Sequence, residues 1–371
     1  MNDSRLHSFH IPVMGLGFTI DTPLKVARFG ISSVMSIVED ELIEKMRQVL
    51  CANTGSEFLP ITKYEEDYRA RRITAYLNLV DGIVKKQFRE LKELPFQAGN
   101  DLVMYFELLP DDSPVKQEFL HTMAMEDGVE KTKRQKALRT YVQAGDVDVN
   151  IMCKVNKQNY AKDGTLLPRQ FNDALAALRG FANSTLGSGV VLSAGYNPEL
   201  YAYAAEWPCF FPDANGHLAK KIILKVSDFR SARTQGKLLA KKGIWVSEFR
   251  VESGLNCGGH AFATDGLLLG PIMEEFRQKR SELEEELYAM VNEVLVKTGR
   301  NPFPVMPRIR LSVQGGIGTA GEHDFLLRYY GADSAGWGSP FLLVPEVTNV
   351  DTETLTQLAT ASKDDYFLSH A

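Results

Sequence analysis

The chain has 371 residues, 44% apolar and 24% charged, with a formal net charge of −5 at pH 7. Acidic and basic residues are interspersed, so neither nucleic acid nor an anionic membrane surface is an expected partner, and small molecules or further copies of the chain remain. No apolar run is long enough to cross a bilayer, and Met1–His7 lacks the apolar stretch of a signal peptide, which sets the expectation of a cytoplasmic protein.

In chain order, short β-branched runs bounded by Gly, Pro or Asn read as strands: His10–Leu16, Ile31–Ile37, Val147–Val155, Gly189–Gly195, Lys221–Val226, Gly243–Val251, Ile309–Gln314 and Ala332–Gly338. Helical patterns lie between most of them, as in Arg169–Arg179 and Arg230–Lys242. Continuously apolar strands alternating with helices indicate a parallel sheet buried on both faces. Eight such units point to closure into a (β/α)8 TIM barrel, an α/β fold.

Two connections exceed a plain unit. Residues 38–146 read as a mostly helical insertion within one barrel domain spanning 1–371, packed over one end of the barrel. Its run Tyr64–Glu93 is rich in Lys, Arg and Glu, as a solvated helical face is. Residues 252–308 hold a glycine-rich loop and a long amphipathic helix, Glu274–Lys297, and a last helix is expected over Thr352–Ser362. Cys51, Cys153, Cys209 and Cys257 are too scattered for a zinc site, an iron–sulfur site or a disulfide framework.

The residues that could carry chemistry fall in three glycine turns. Gln314–Gly321 and Gly331–Ser339 each follow an apolar run, and glycine lets a bulky anion approach the backbone amides closely. A helix starting just beyond adds unpaired N–H groups and its dipole. After the sixth strand comes Gly258-Gly259-His260, where an imidazole with an ordinary pKa near 6.5 is suited to take a proton from a carbon acid. A turn-capping or solvent-facing histidine is the competing reading. Trp337 either stacks on a ligand or fills the barrel end, His323 is expected to be exposed, and His217 belongs to a turn.

These motifs, in this order, resemble the nitronate monooxygenase (2-nitropropane dioxygenase) family of FMN-containing barrels. The resemblance rests on Ile11–Gly17, Gly258-Gly259-His260, Gln314–Gly318, Gly331-Ala332-Asp333 and Gly338–Phe341. It implies that Gly315, Gly316, Gly318, Gly336, Gly338 and Ser339 bind the FMN phosphate, together with a contact at Gly258 and Gly259. It also implies that Met14, Gly15 and Leu16 lie along the flavin edge and that His260 removes an acidic C–H proton. Asn150 and Lys154 are polar contacts to the ring, where a positive group stabilises reduced, anionic flavin; a salt bridge in the barrel mouth is the other reading of Lys154. Asn256 and Cys257 replace the acidic residue and alanine usual before the Gly-Gly-His turn, which puts the substrate in question, and no neighbouring base activates Cys257.

The expected function is thus FMN-dependent oxidation of a small carbon acid. A flavin enoyl reductase using NAD(P)H, and a non-catalytic flavin or phosphate-binding scaffold, are the alternatives. A glutamate synthase-like domain would need a cysteine cluster, and the sequence has none.

Overall fold

The protein is described here by a computed structural model covering residues 5–152, 156–192, 197–252 and 269–365. Among these residues, eight parallel strands close into a barrel in chain order. They are β1 (Phe9–Ile11), β2 (Ser32–Ser36), β3 (Val147–Ile151), β4 (Gly189–Leu192), β5 (Lys221–Val226), β6 (Val246–Glu252), β7 (Arg310–Gln314) and β8 (Ser334–Gly336), with β8 pairing back onto β1. Every expected strand forms, several of them shorter than the apolar run suggests. β1 stops at Ile11 because Pro12 has no N–H to continue the ladder.

After β1 comes α1 (Thr22–Val26). Between β2 and β3 lie α2 (Asp40–Thr54), α3 (Tyr68–Glu93), α4 (Asp101–Glu107), α5 (Pro114–Ala124) and α6 (Val129–Arg139). The remaining units carry α7 (Asp173–Asn183), α8 (Pro198–Ala204), α9 (Phe229–Ala240), α10 (Leu269–Lys297) and α11 (Ala320–Arg328), and β8 is followed by α12 (Ser339–Leu342) and α13 (Thr352–Thr360). None of the described helices is long and apolar enough to cross a membrane.

The reading of Tyr64–Glu93 as a solvated face is corrected by α3. Its Ala70, Ile73, Tyr76, Leu77, Val80 and Val84 form a buried stripe at helical spacing. That stripe meets α7 so closely that a Cβ at Gly180 would lie 2.7 Å from Ile73 Cγ2. Most of its charges occupy the opposite side, Arg72 and Asp81 being buried with the stripe, and α3 belongs to the outer ring of helices. By contrast α4, α5 and α6 enclose a separate cluster in which Leu102, Tyr105, Phe106, Phe119 and Leu138 pack with Phe29, Ile31 and Val142. Those last three precede β2 and β3, so this part of the cluster sits at the N-terminal end of the barrel, and the rest includes Val26 and Ile11. Full burial of each Phe contributes roughly 1.5–3 kcal/mol, enough to hold the three helices there.

Strand side chains alternate between the outer helices and the barrel interior. Outward-facing Val149, Ile151, Leu224, Phe249, Leu311 and Val313 join one large apolar cluster with the helices. Inside, Val34, Val191 and Ile223 pack together on β2, β4 and β5. The other side of the interior is ionic.

Candidate active site at the C-terminal ends of the strands

The ionic side is built by period-two alternation. Glu248, Arg250 and Glu252 on β6, with Arg310, Ser312 and Gln314 on β7, point inward while Phe249, Val251, Leu311 and Val313 point out. Arg250, 1% exposed, donates from Nε and Nη2 to Glu248 Oε1 (2.9 and 2.7 Å), from Nε to Ser312 Oγ (3.2 Å) and from Nη2 to Asp148 Oδ2 (3.4 Å). Burial alone would raise the Glu248 pKa. Arg250, Arg310 and Arg5 outweigh it and hold the carboxyl far below its ordinary range.

One layer higher, at the mouth, a polar chain crosses four strands. Lys225 Nζ and Gln314 Nε2 both donate to Glu252 Oε1, at 2.7 and 2.8 Å, and Gln314 Oε1 lies 3.4 Å from His10 Nε2. Burial, reinforced by Arg250, pushes the His10 pKa well below its ordinary value, so the ring is neutral. With Nε2–H donating to Gln314, Nδ1 is left as a buried acceptor with no hydrogen-bond partner among the described residues. None of Lys225, Glu252 or His10 was singled out from the sequence. Charge alternating with apolar residues in a strand usually marks a solvent-facing side, and only barrel closure turns that side inward.

The glycine turn after β7 begins where the β7–β8 ladder ends, and Gly336 belongs to β8 itself and not to a turn. Gly315 and Gly316 take φ of 80° and 71°, in the left-handed region, and Gly315 N–H donates to Gly336 O at 3.2 Å. Beyond them Thr319 caps α11: its Oγ1 accepts from Glu322 N–H, and the Glu322 carboxylate accepts from the backbone N–H of Gly318 (2.8 Å) and Thr319 (3.0 Å). An anionic group thus already rests on the amides of the turn. Gly336 has a further reason to lack a side chain, since a Cβ there would stand 2.6 Å from His10 Nε2 and 2.7 Å from Gln314 Cβ.

The other expected positions scatter more. Asn150, two residues beyond Asp148 on β3, faces the same interior and is buried. Met14 packs against the cluster containing Ile11 and Phe29, and Leu16 is 41% exposed. It is their neighbour Val13 that packs onto Val34, Val191 and Ile223. Gly338 precedes α12, which starts at Ser339. Lys154, Gly258, Gly259 and His260, with Asn256 and Cys257, lie outside the described residues.

His323 is half-buried, contrary to expectation. Trp337 Nε1–H donates to its Nδ1 at 3.0 Å and Ser8 Oγ lies 3.0 Å from Nε2, which fixes the Nε2–H tautomer; burial lowers its pKa. Trp337, next to inward-facing Gly336, therefore points outward toward α11 and packs there. His217 is exposed in its turn, its N–H on Asp213 Oδ1. Among the described residues no group of three or more His, Cys, Asp or Glu is arranged to hold a metal.

A scan against models of known protein families gives no match to this chain, and no curated protein matches it.

Proposed function

We propose that the protein is an FMN-dependent oxidoreductase acting on a small carbon acid, in the manner of the nitronate monooxygenases. The observation that carries the reading is the left-handed glycine turn after β7, at the C-terminal face of a closed barrel and next to β8, whose Gly318 and Thr319 amides already hold a carboxylate. Barrels often build phosphate sites from the loops after their seventh and eighth strands. The chemistry of the donor set fits the group: the amides of Gly318 and Thr319 hold a carboxylate, and Glu322, being exposed, is free to yield them to a phosphate.

In this reading Gly315, Gly316, Gly318, Gly338 and Ser339 hold the phosphate. Asn150 and Lys154 face the ring, and Met14, Gly15 and Leu16 border it. FMN, when bound, supplies a two-electron acceptor that oxygen or another oxidant can discharge. His260 accepts the acidic C–H proton, which requires a neutral ring at working pH. His10 is unsuited to that task, being buried and tied to Gln314, and instead props the mouth from below. Lys225, balanced by Glu252, keeps a positive end near the mouth without an unpaired buried charge. Val13, Val34, Val191 and Ile223 form an apolar patch against the interior.

The visible spectrum of the purified protein tests the cofactor. Flavin bands, or uptake of added FMN, are expected; a colourless protein that takes up no FMN would sink the reading. With FMN bound, His260→Ala should stay yellow and lose turnover of an alkyl nitronate. Turnover of an enoyl thioester with NAD(P)H, and none of nitronates, would replace the reaction while keeping the cofactor.

A further inference from the structure

A cleft of about 470 Å³ opens on the same face of the molecule, between the connection joining α2 to α3 and the one joining β3 to α7. None of its lining residues belongs to a strand, so it is separate from the ionic barrel interior. Its volume is within the range of small-molecule sites. Tyr64, Tyr160 and Phe171 supply aromatic surface, and Tyr64 and Tyr160 are 67% and 60% exposed.

Two cations from different loops converge on one of these rings. Lys63 Nζ and Lys162 Nζ each lie 5.4 Å from the centroid of Tyr64. The two ammoniums are therefore no more than twice that distance apart. Neither forms a salt bridge among the described residues, whereas Arg69, also in the lining, is already neutralised by Asp40 and Asp173. Of the lining carboxylates, Glu65 is held by Arg71 and Thr62 N–H, and Asp67 is held by Arg179. Glu66 is exposed and has no cationic partner among the described residues.

Both loops are set before any ligand arrives. Lys162 sits at the tip of a small antiparallel turn in which Tyr160 bridges Leu166, Ala161 N–H bonds Thr165 O (2.8 Å) and Asp163 Oδ1 accepts from Thr165 N–H (2.9 Å). Lys63 lies inside a turn closed by Glu65 N–H on Thr62 O (3.2 Å) and Thr62 N–H on Glu65 Oε1 (2.7 Å). Pre-ordered loops lose little freedom on binding, which favours affinity. A pair of like charges over an exposed ring calls for an anion carried on a flat, aromatic body.

We propose that this cleft binds a nucleotide, its base covering the exposed surface of Tyr160 and Tyr64 that the lysines leave open and its phosphates contacted by Lys63 and Lys162. The proposal stands on the cleft and is independent of the flavin reading. A free nucleotide, a nicotinamide dinucleotide and a coenzyme A thioester share this chemistry, and titration separates them.

Calorimetric titration of the purified protein with ADP, adenosine, pyrophosphate, NADPH and coenzyme A tests it. ADP is expected to bind at least about tenfold more tightly than adenosine or pyrophosphate, because ring and phosphate contacts act together. Because FMN is itself a flat aromatic phosphate, it is the cleft variants, and not competition by FMN, that assign ADP to this site. Lys63→Ala with Lys162→Ala, and separately Tyr64→Ala, should each weaken ADP about tenfold while leaving thermal unfolding unchanged, since all three side chains are exposed. NADPH binding more tightly than ADP would identify an electron donor, coenzyme A a thioester substrate, and equal affinity for all three a free nucleotide. Absence of ADP binding at millimolar concentration, equal affinity for adenosine, or full binding by the double lysine variant would overturn the proposal.

Discussion

The loops after β7 and β8 and the connections joining α2 to α3 and β3 to α7 both face outward from the C-terminal end of the barrel, yet they offer an anion opposite materials. Around Gly315, Gly318 and Gly336 the donors are backbone amides, and their position depends on what lies beneath, since Gly336 sits directly on His10 and Gln314. Around Tyr64 the donors are lysine ammoniums on long, exposed stems. What is fixed there is the wall behind them. Asp67 holds a left-handed backbone (φ 53°), a cost of roughly 1–2 kcal/mol for most non-glycine residues. Arg179 clamps its carboxylate through Nε and Nη2 and donates also to Tyr203 Oη. A backbone cup should thus fail through stability and a side-chain cleft through affinity.

The largest effect should come from Arg250. Removing it as Arg250→Ala leaves Asp148 in the interior without its ion-pair partner and Glu248 with only the more distant Arg310 (3.7 Å), and breaking a buried pair from one side costs about 3–5 kcal/mol. Urea unfolding should show that loss as a lower midpoint at unchanged slope. Lys63→Ala, by comparison, should stay within about 0.5 kcal/mol of the parent. A cost below about 1 kcal/mol for Arg250→Ala would erase the contrast between the two regions.

Much of the barrel could be read from the chain because parallel strands buried on both faces leave long apolar runs, as in Lys221–Val226, whose expected and observed ends coincide. The glycine turn after β7 was legible for a similar reason: Gly315 and Gly316 need positive φ, and that need is written in the residue type. The ionic interior was not, since Glu248-Phe249-Arg250-Val251-Glu252 has the alternation of a half-solvated strand until closure is known. The role of Val13 was missed beside Met14 for lack of any signal in a one-residue change of facing. The cleft depends on Lys63 and Lys162, nearly a hundred positions apart, meeting over one ring, and no local pattern records that.

Gly336→Ala should come next in size. Its Cβ would fall 2.6 Å from His10 Nε2 and 2.7 Å from Gln314 Cβ, and overpacking of this kind costs about 1–3 kcal/mol. Both neighbours belong to the polar chain ending at Lys225, so relief by moving them would disturb hydrogen bonds that are otherwise satisfied. Truncating the ring in a His10→Ala background should recover part of the loss. A double-mutant cycle should then show a coupling of about 0.5–3 kcal/mol, and additive costs would mean that Gly336 is small for another reason.

The smallest effect is expected at Glu322, and it bears most directly on how the cup binds. Hydrogen bonds from the Gly318 and Thr319 amides lower its carboxyl pKa below the ordinary value. A depressed folded-state pKa means that the unfolded chain takes up the proton first on acidification. The stabilisation is therefore complete at neutral pH and fades as pH falls below the ordinary carboxylate value and through the lowered one. Exposure keeps it slight. The same two amides cannot serve the carboxylate and a phosphate together, so Glu322→Ala should lose the acid-sensitive cap while strengthening FMN binding roughly two- to fivefold, the scale of a helix-terminal charge. Riboflavin, which lacks the phosphate, should bind the variant and the parent alike. Equal changes for FMN and riboflavin would mean that the amides of the turn do not meet a phosphate, and the backbone cup would then be only a helix cap.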